Sequence, residues 1–135
     1  MKNYYVKKVV RGYIEAEILV NPGSFSFLGD IDLESAEIIV DHSPHKGKSI
    51  AGKILIIEDS KGSSGGALVL QTLKTIGKAP AAIITVKAPD FNLTEGAILT
   101  AVPYASHLPQ EFFNQKYTNQ IAILDLDKGI LSIKD

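Results

Sequence analysis

The residues Lys61-Gly62-Ser63-Ser64-Gly65-Gly66 set an ammonium and two hydroxyls among three glycines. Three kinds of chemistry suit that grouping. Ser63 or Ser64 can cap a helix, accepting hydrogen bonds from N–H groups that no turn of the helix satisfies. The glycines can let successive N–H groups converge on an anion, with a helix dipole and the charge of Lys61 adding to the attraction. The same donors can also stabilise a serine alkoxide, which is otherwise far too basic to form in water. The order of residues is not that of a Walker loop, because Lys61 precedes the serines, and no Gly-x-Gly-x-x-Gly fingerprint is present. His42, His45 and His107 are the only histidines, and no spacing ties any of them to Ser63 as a base.

Any of these uses requires the loop to be held between rigid elements. Before it, Ile54 to Ile57 is a short apolar run that reads as a strand. After it, Ala67, Leu70, Leu73 and Ile76 recur every third residue and define a helix over Gly65 to Ile76. Gly77 suits the position just past its end, and Lys74 and Lys78 suit its negative pole. Ala81 to Val86 is a second apolar strand, so residues 54–86 form a strand–helix–strand unit of expected right-handed, parallel topology.

The rest reads mostly as strands. Val6 to Val20 alternates loosely and predicts one bent strand or two; Ile38 to Val40 and Ala97 to Val102 predict two more. Pro89 to Glu95 reads as a loop, and Ile121–Asp125 with Gly129–Ile133 as a closing hairpin. Asn21 to Asp30 is a loop punctuated by Pro22-Gly23 and Gly29-Asp30.

The 135 residues suit one domain, 1–135, with 14 basic against 15 acidic side chains. That balance offers no basic surface for a nucleic-acid backbone. No apolar run reaches membrane-spanning length and the first residues lack an apolar signal core, so the expected location is the cytoplasm. Without cysteine, the chain has no thiolate for a disulfide or an iron–sulfur cluster, and no metal site is expected on it.

Five segments, in order, resemble the small subunit of the aconitase-X family, a stand-alone swivelling domain. They are SFSFLGDID (Ser24 to Asp32), GKSIAGKILI (Gly47 to Ile56), KGSSGG (Lys61 to Gly66), GKAPAAII (Gly77 to Ile84) and GAILTAVPYA (Gly96 to Ala105). The resemblance implies an α/β fold: a β-rich swivelling β/β/α domain like the C-terminal domain of aconitase. It assigns Ser63 the role of proton-abstracting base, and leaves Lys61, Gly62, Ser64 and Gly65 to bind substrate. Where aconitases follow the two serines with a carboxylate-gripping arginine, this chain has Gly65.

The resemblance further implies a hydro-lyase acting on a phosphorylated small molecule. The expected reaction takes (R)-5-phosphomevalonate to trans-anhydromevalonate 5-phosphate in an archaeal-type mevalonate route to isoprenoids. A large subunit would complete a heterodimer and carry the iron–sulfur cluster, leaving this chain inactive alone. Two alternatives stay open: a related dehydratase acting on a hydroxyproline-type acid, and a non-catalytic module that binds a phosphate or a partner. Phe25, Phe27 and Leu28, in a loop bounded by Gly and Pro, are expected either to meet the large subunit or to fold onto this domain's own core.

Overall fold

A computed structural model describes residues 2–61 and 65–134. Among them are eight strands, β1 (Lys2–Tyr5), β2 (Lys7–Val10), β3 (Tyr13–Val20), β4 (Ile54–Ile57), β5 (Ala82–Thr85), β6 (Tyr104–Ser106), β7 (Ile121–Asp125) and β8 (Ile130–Ile133), and two α-helices, α1 (Gly65–Thr75) and α2 (Phe91–Thr100). The strands form one mixed sheet in the order β1-β8-β7-β3-β4-β5-β6-β2. Its two outermost strands follow each other in the chain with only Val6 between them. One extended segment therefore carries both ends of the sheet, and the sheet curls to meet it.

The apolar strands at the centre have no wet side. Every residue of β4 and β5 is buried. Leu55, Ile57 and Ile83 share a core with Val69, Leu70 and Leu73 of α1 and Leu93 and Ala97 of α2. Ile54, Ile56, Ala82 and Ile84 face the other way, into a core shared with Ala122 and Leu124 of β7, Leu131 and Ile133 of β8, and Phe112 and Tyr117. Such two-sided burial belongs to parallel strands covered by crossover helices, and β3, β4, β5 and β6 are parallel neighbours. Their carboxyl ends share one rim, and residues 58–61, which lead to the glycine–serine segment, follow β4 there.

The expected strand–helix–strand unit is present, and α1 stops where its glycine is. Gly77 has φ +75°, its N–H reaches Lys74 O at 3.1 Å, and Lys78 N–H reaches Leu73 O at 2.8 Å. These two bonds close a Schellman cap. Three expectations fail. Ala97 to Val102 is not a strand, and Pro89 to Glu95 is not all loop: both contribute to α2. The run Ala97-Ile98-Leu99 hides a helical stripe, because Leu93, Gly96, Ala97 and Thr100 are buried while Ile98 and Leu99 are exposed. Asp90 caps α2 by accepting a bond from Leu93 N–H at 2.8 Å. Ile38 to Val40 also forms no strand; only isolated bridges join Ile31 to Ile38 and Glu37 to Ser49. Ile38 turns into the core with Ile31 and Ile50, so burial rather than pairing explains its apolar character.

The two helices touch through Gly96. A Cβ there would lie 2.8 Å from Ala67 Cα, closer than side chains approach backbone. Gly→Ala inside a helix normally stabilises by roughly 1 kcal/mol. At this contact the sign should reverse, since overpacking costs about 1–3 kcal/mol. Thermal unfolding of Gly96→Ala should show a lower Tm than the parent; a rise would mean that the helices separate without cost.

Candidate functional site

The rim segment after β4 is strapped from two directions. Phe25 N–H donates to Asp59 O and Lys61 N–H donates to Phe25 O, both at 2.9 Å, pairing Phe25 with Ser60 as a parallel bridge. The Ser24 hydroxyl donates to the Asp59 carboxylate. From the β5 side, Lys87 lies 3.0 Å from Glu58 and 3.8 Å from Asp59. Hydrogen bonding and charge from Glu58, then the charge of Asp59, raise the Lys87 pKa above its ordinary 10.5. A raised lysine pKa means that the contribution of the Lys87 charge is fully present below about pH 10.5 and is lost as pH climbs through the raised value. At neutral pH the segment leading to the serines is therefore held by its full set of contacts.

The structure places Lys61 on this strap, exposed to solvent, and opens α1 at Gly65. Gly62, Ser63 and Ser64, the other residues singled out in the sequence, lie outside the described residues. On the helix side, Ala67 N–H donates to Asn92 Oδ1 at 2.9 Å, so a side chain from α2 caps the first turn of α1. A Cβ on Gly66 would sit 3.2 Å from the same oxygen, tight enough that the amide would have to give way.

The loop Ser24 to Asp32 resolves the choice left open for its aromatics. Phe25 and Phe27 fold back into the domain's own core, edge to face with centroids 5.0 Å apart. Only Leu28 remains in water, 56% exposed, so the expected three-residue partner contact shrinks to one. Buried Asp30 accepts a bond from Ser26 N–H at 2.9 Å and shapes the turn.

The histidines are dispersed. His45 is buried, with Nε2 2.9 Å from Val20 O and 2.6 Å from Gln115 Oε1. Two acceptors around one nitrogen make it the N–H donor, so this ring braces the end of β3. His107 is exposed at the end of β6, with φ +61° and Nδ1 2.7 Å from the Ser106 hydroxyl. His42 lies exposed on the polar turn before Pro44. Among the described residues no hydrogen bond joins these rings to one another or to Lys61. Sequence reading missed Ser24, Asp59, Lys87 and Asn92. Asp59 and Lys87 look like ordinary surface charges until β4 and β5 bring them together, and no local motif signals a cap supplied from 25 residues away.

The donor set does not fit an iron–sulfur cluster. The chain has no cysteine, and the described residues bring no three His, Asp or Glu side chains together as a metal site. Among the described residues, the rim supplies the Lys61 ammonium and the helix start at Gly65-Gly66.

The curled mixed sheet with two helices packed on one face is the architecture of an aconitase-type swivel domain. Residues 3–133 match the aconitase X swivel domain, and the chain belongs to that family. Its relatives carry more particular names. The phosphomevalonate dehydratase small subunit of Thermococcus gammatolerans is 36% identical, over 96% of this chain and 95% of that one. The protein of the same name from Archaeoglobus fulgidus is 34% identical, over 94% and 95%. The crystal structure of Thermococcus kodakaraensis aconitase X in its holo form superposes with a TM-score of 0.91 at 32% identity, covering all of both chains. A cis-3-hydroxy-L-proline dehydratase of Pseudomonas aeruginosa is 35% identical over 82% of this chain, which corresponds to only 19% of that protein. No helix among the described residues is long and apolar enough to cross a membrane.

The Ser24–Asp59 bond is the strap's testable member. A hydrogen bond to a carboxylate contributes on the order of 1.5–3 kcal/mol. Ser24→Ala should lower the urea midpoint by a corresponding amount without changing the m-value. An unchanged midpoint would show that the backbone pairing of Phe25 alone holds the segment.

Proposed function

We propose that this chain is the small subunit of a two-subunit dehydratase that removes water from (R)-5-phosphomevalonate. The product is trans-anhydromevalonate 5-phosphate, made in the cytoplasm on an archaeal-type mevalonate route. The names and near-complete coverage of the archaeal relatives support the substrate, and the family supports the reaction class. The observation that carries the mechanism is positional: the serine pair directly precedes Gly65, where α1 begins on the carboxyl rim of the parallel strands.

Dehydration is redox-neutral. A proton leaves one carbon, a hydroxyl leaves its neighbour, and the electron pair released at the first carbon becomes the double bond. In this reading Ser63 takes the proton. The N–H groups at the start of α1 and the charge of Lys61 favour its alkoxide, and a covering large subunit strengthens both by excluding water. Ser64 caps the helix or orders the loop, while Lys61, Gly62 and Gly65 help to hold the substrate, Lys61 through its phosphate. The large subunit would contribute the iron–sulfur cluster, which polarises the leaving hydroxyl. The chain is then inactive alone and works as a heterodimer.

The hydroxyproline dehydratase relative favours one second reading, in which the same base serves a cyclic hydroxy acid. Offering both substrates to the assembled enzyme separates the two.

General-base catalysis contributes about 10²–10⁴-fold. Ser63→Ala should cost at least that in kcat of the co-expressed complex, with subunit association intact. Ser64→Ala should lose less rate and up to about 1–2 kcal/mol of stability. Lys61→Ala should chiefly raise KM, as for a group that grips ground and transition states equally. Near-normal kcat for Ser63→Ala would remove it as the base. If Ser64→Ala were inactive instead, the role would pass to that residue; if both stayed active, the loop would be a binding module.

A further inference from the structure

The helix layer is apolar on its outer surface as well as its inner one. Leu68 of α1 is 66% exposed, and Phe91, Ile98 and Leu99 of α2 are 87%, 61% and 63% exposed. No other leucine or isoleucine among the described residues is as exposed; Leu28 follows at 56%. Phe91, Thr94, Glu95 and Ile98 stand at i, i+3, i+4 and i+7 and share one stripe of α2. With Leu99 they line an open groove of about 260 Å³, in which Glu95 is the one charged residue. Leu99 also borders Gln71, Lys74 and Thr75, so the surface crosses from α2 to α1. Leu93 and Ala97 already fill the inward face of α2, and the outward side chains take no part in this domain's core.

Single apolar side chains on a surface need no explanation, but a contiguous patch marks a docking site. The place where this patch begins says what covers it. Phe91 is the first residue of α2, which follows the carboxyl end of β5, and the first turns of the two helices meet where Ala67 N–H bonds Asn92 Oδ1. The two-subunit reading puts the large subunit over that rim. A body seated there meets Phe91 directly, and Ile98 lies only about 10 Å further along the helix. The hydroxyproline dehydratase points the same way. It matches this chain over only 19% of its own length, so there the domain is joined to a much larger body by the polypeptide itself.

We propose that Phe91, Ile98 and Leu99, with Leu68, form a docking surface for the large subunit. The inference rests on the two-subunit reading and deepens it by naming the contact. A nearly uncharged surface fits an apolar counterpart, and association then gains chiefly from area removed from water.

The test uses Ile98→Lys and Leu99→Lys, which put a cation in the last turn of α2, where the helix dipole favours it. Three quantities are read: Tm of this chain, Kd for the purified large subunit by calorimetry, and dehydratase rate as this chain is titrated into the large subunit. Tm should match the parent, and Kd should weaken on the order of 30-fold or more, as at a central apolar contact. The half-saturation point of the rate should move with Kd, while the rate at saturation holds. Leu68→Gln repeats the Kd measurement from α1, so the result stands even if a lysine lowers Tm. Parent-like Kd in all three variants would overturn the proposal and leave the two-subunit function standing, since the parent complex still forms and turns over. If the parent chain binds no large subunit at all, the two-subunit reading fails and takes the docking surface with it. Self-association of the parent chain that Ile98→Lys abolishes, with Kd for the large subunit unchanged, would make a second copy the occupant and also overturn the proposal.

Discussion

A strand with four consecutive fully buried aliphatic residues must be dry on both faces, and β4 is such a strand. The rest of the domain answers that demand. One face is covered by α1 and α2, and the other by the return of β7 and β8 across the curl of the sheet. Each buried aliphatic side chain contributes about 1.5–3 kcal/mol, enough to make any alternative register of β4 prohibitive. The end of β4 is consequently one of the most firmly placed points in the molecule, and the serine loop departs from it.

Rigid placement at one end of a loop would mean little with the other end free. Here α1 is anchored along its length by Val69, Leu70 and Leu73 and at its first turn by Asn92. The described residues on either side, up to Lys61 and from Gly65, are thus both held, with the Ser24–Asp59–Lys87 contacts stiffening the first of them. Electrostatic assistance to a reacting group requires donors that need no rearrangement when charge develops. In the proposed reading, two cores and two caps are what would supply that rigidity.

Much of this was legible in the amino-acid order, for identifiable reasons. The β4–α1–β5 unit announces itself because its period switches from continuous to threefold spacing and its glycine stop is local. The β7–β8 hairpin has the same local character. The second helix was misread because its apolar stripe and its exposed Ile98 and Leu99 fall together into an unbroken apolar run. Only the Asp90 cap and the spacing of Leu93, Gly96, Ala97 and Thr100 distinguish it from a strand. Phe25 and Phe27 could not be assigned to core or partner without knowing that residues 59–61 run beside them. Site contacts such as Asn92 with Ala67 are tertiary by nature, created when α2 docks, and leave no trace in local pattern.

Lys2 pairs with Ile133 across the β1–β8 ladder, so the first and last strands of the chain end at the same corner. A polypeptide continued from either terminus leaves the domain from one point. The fold can therefore be carried as a separate chain or spliced into a longer one without re-threading its sheet, and a single tether at that corner would leave the carboxyl rim of the parallel strands free to turn as a unit.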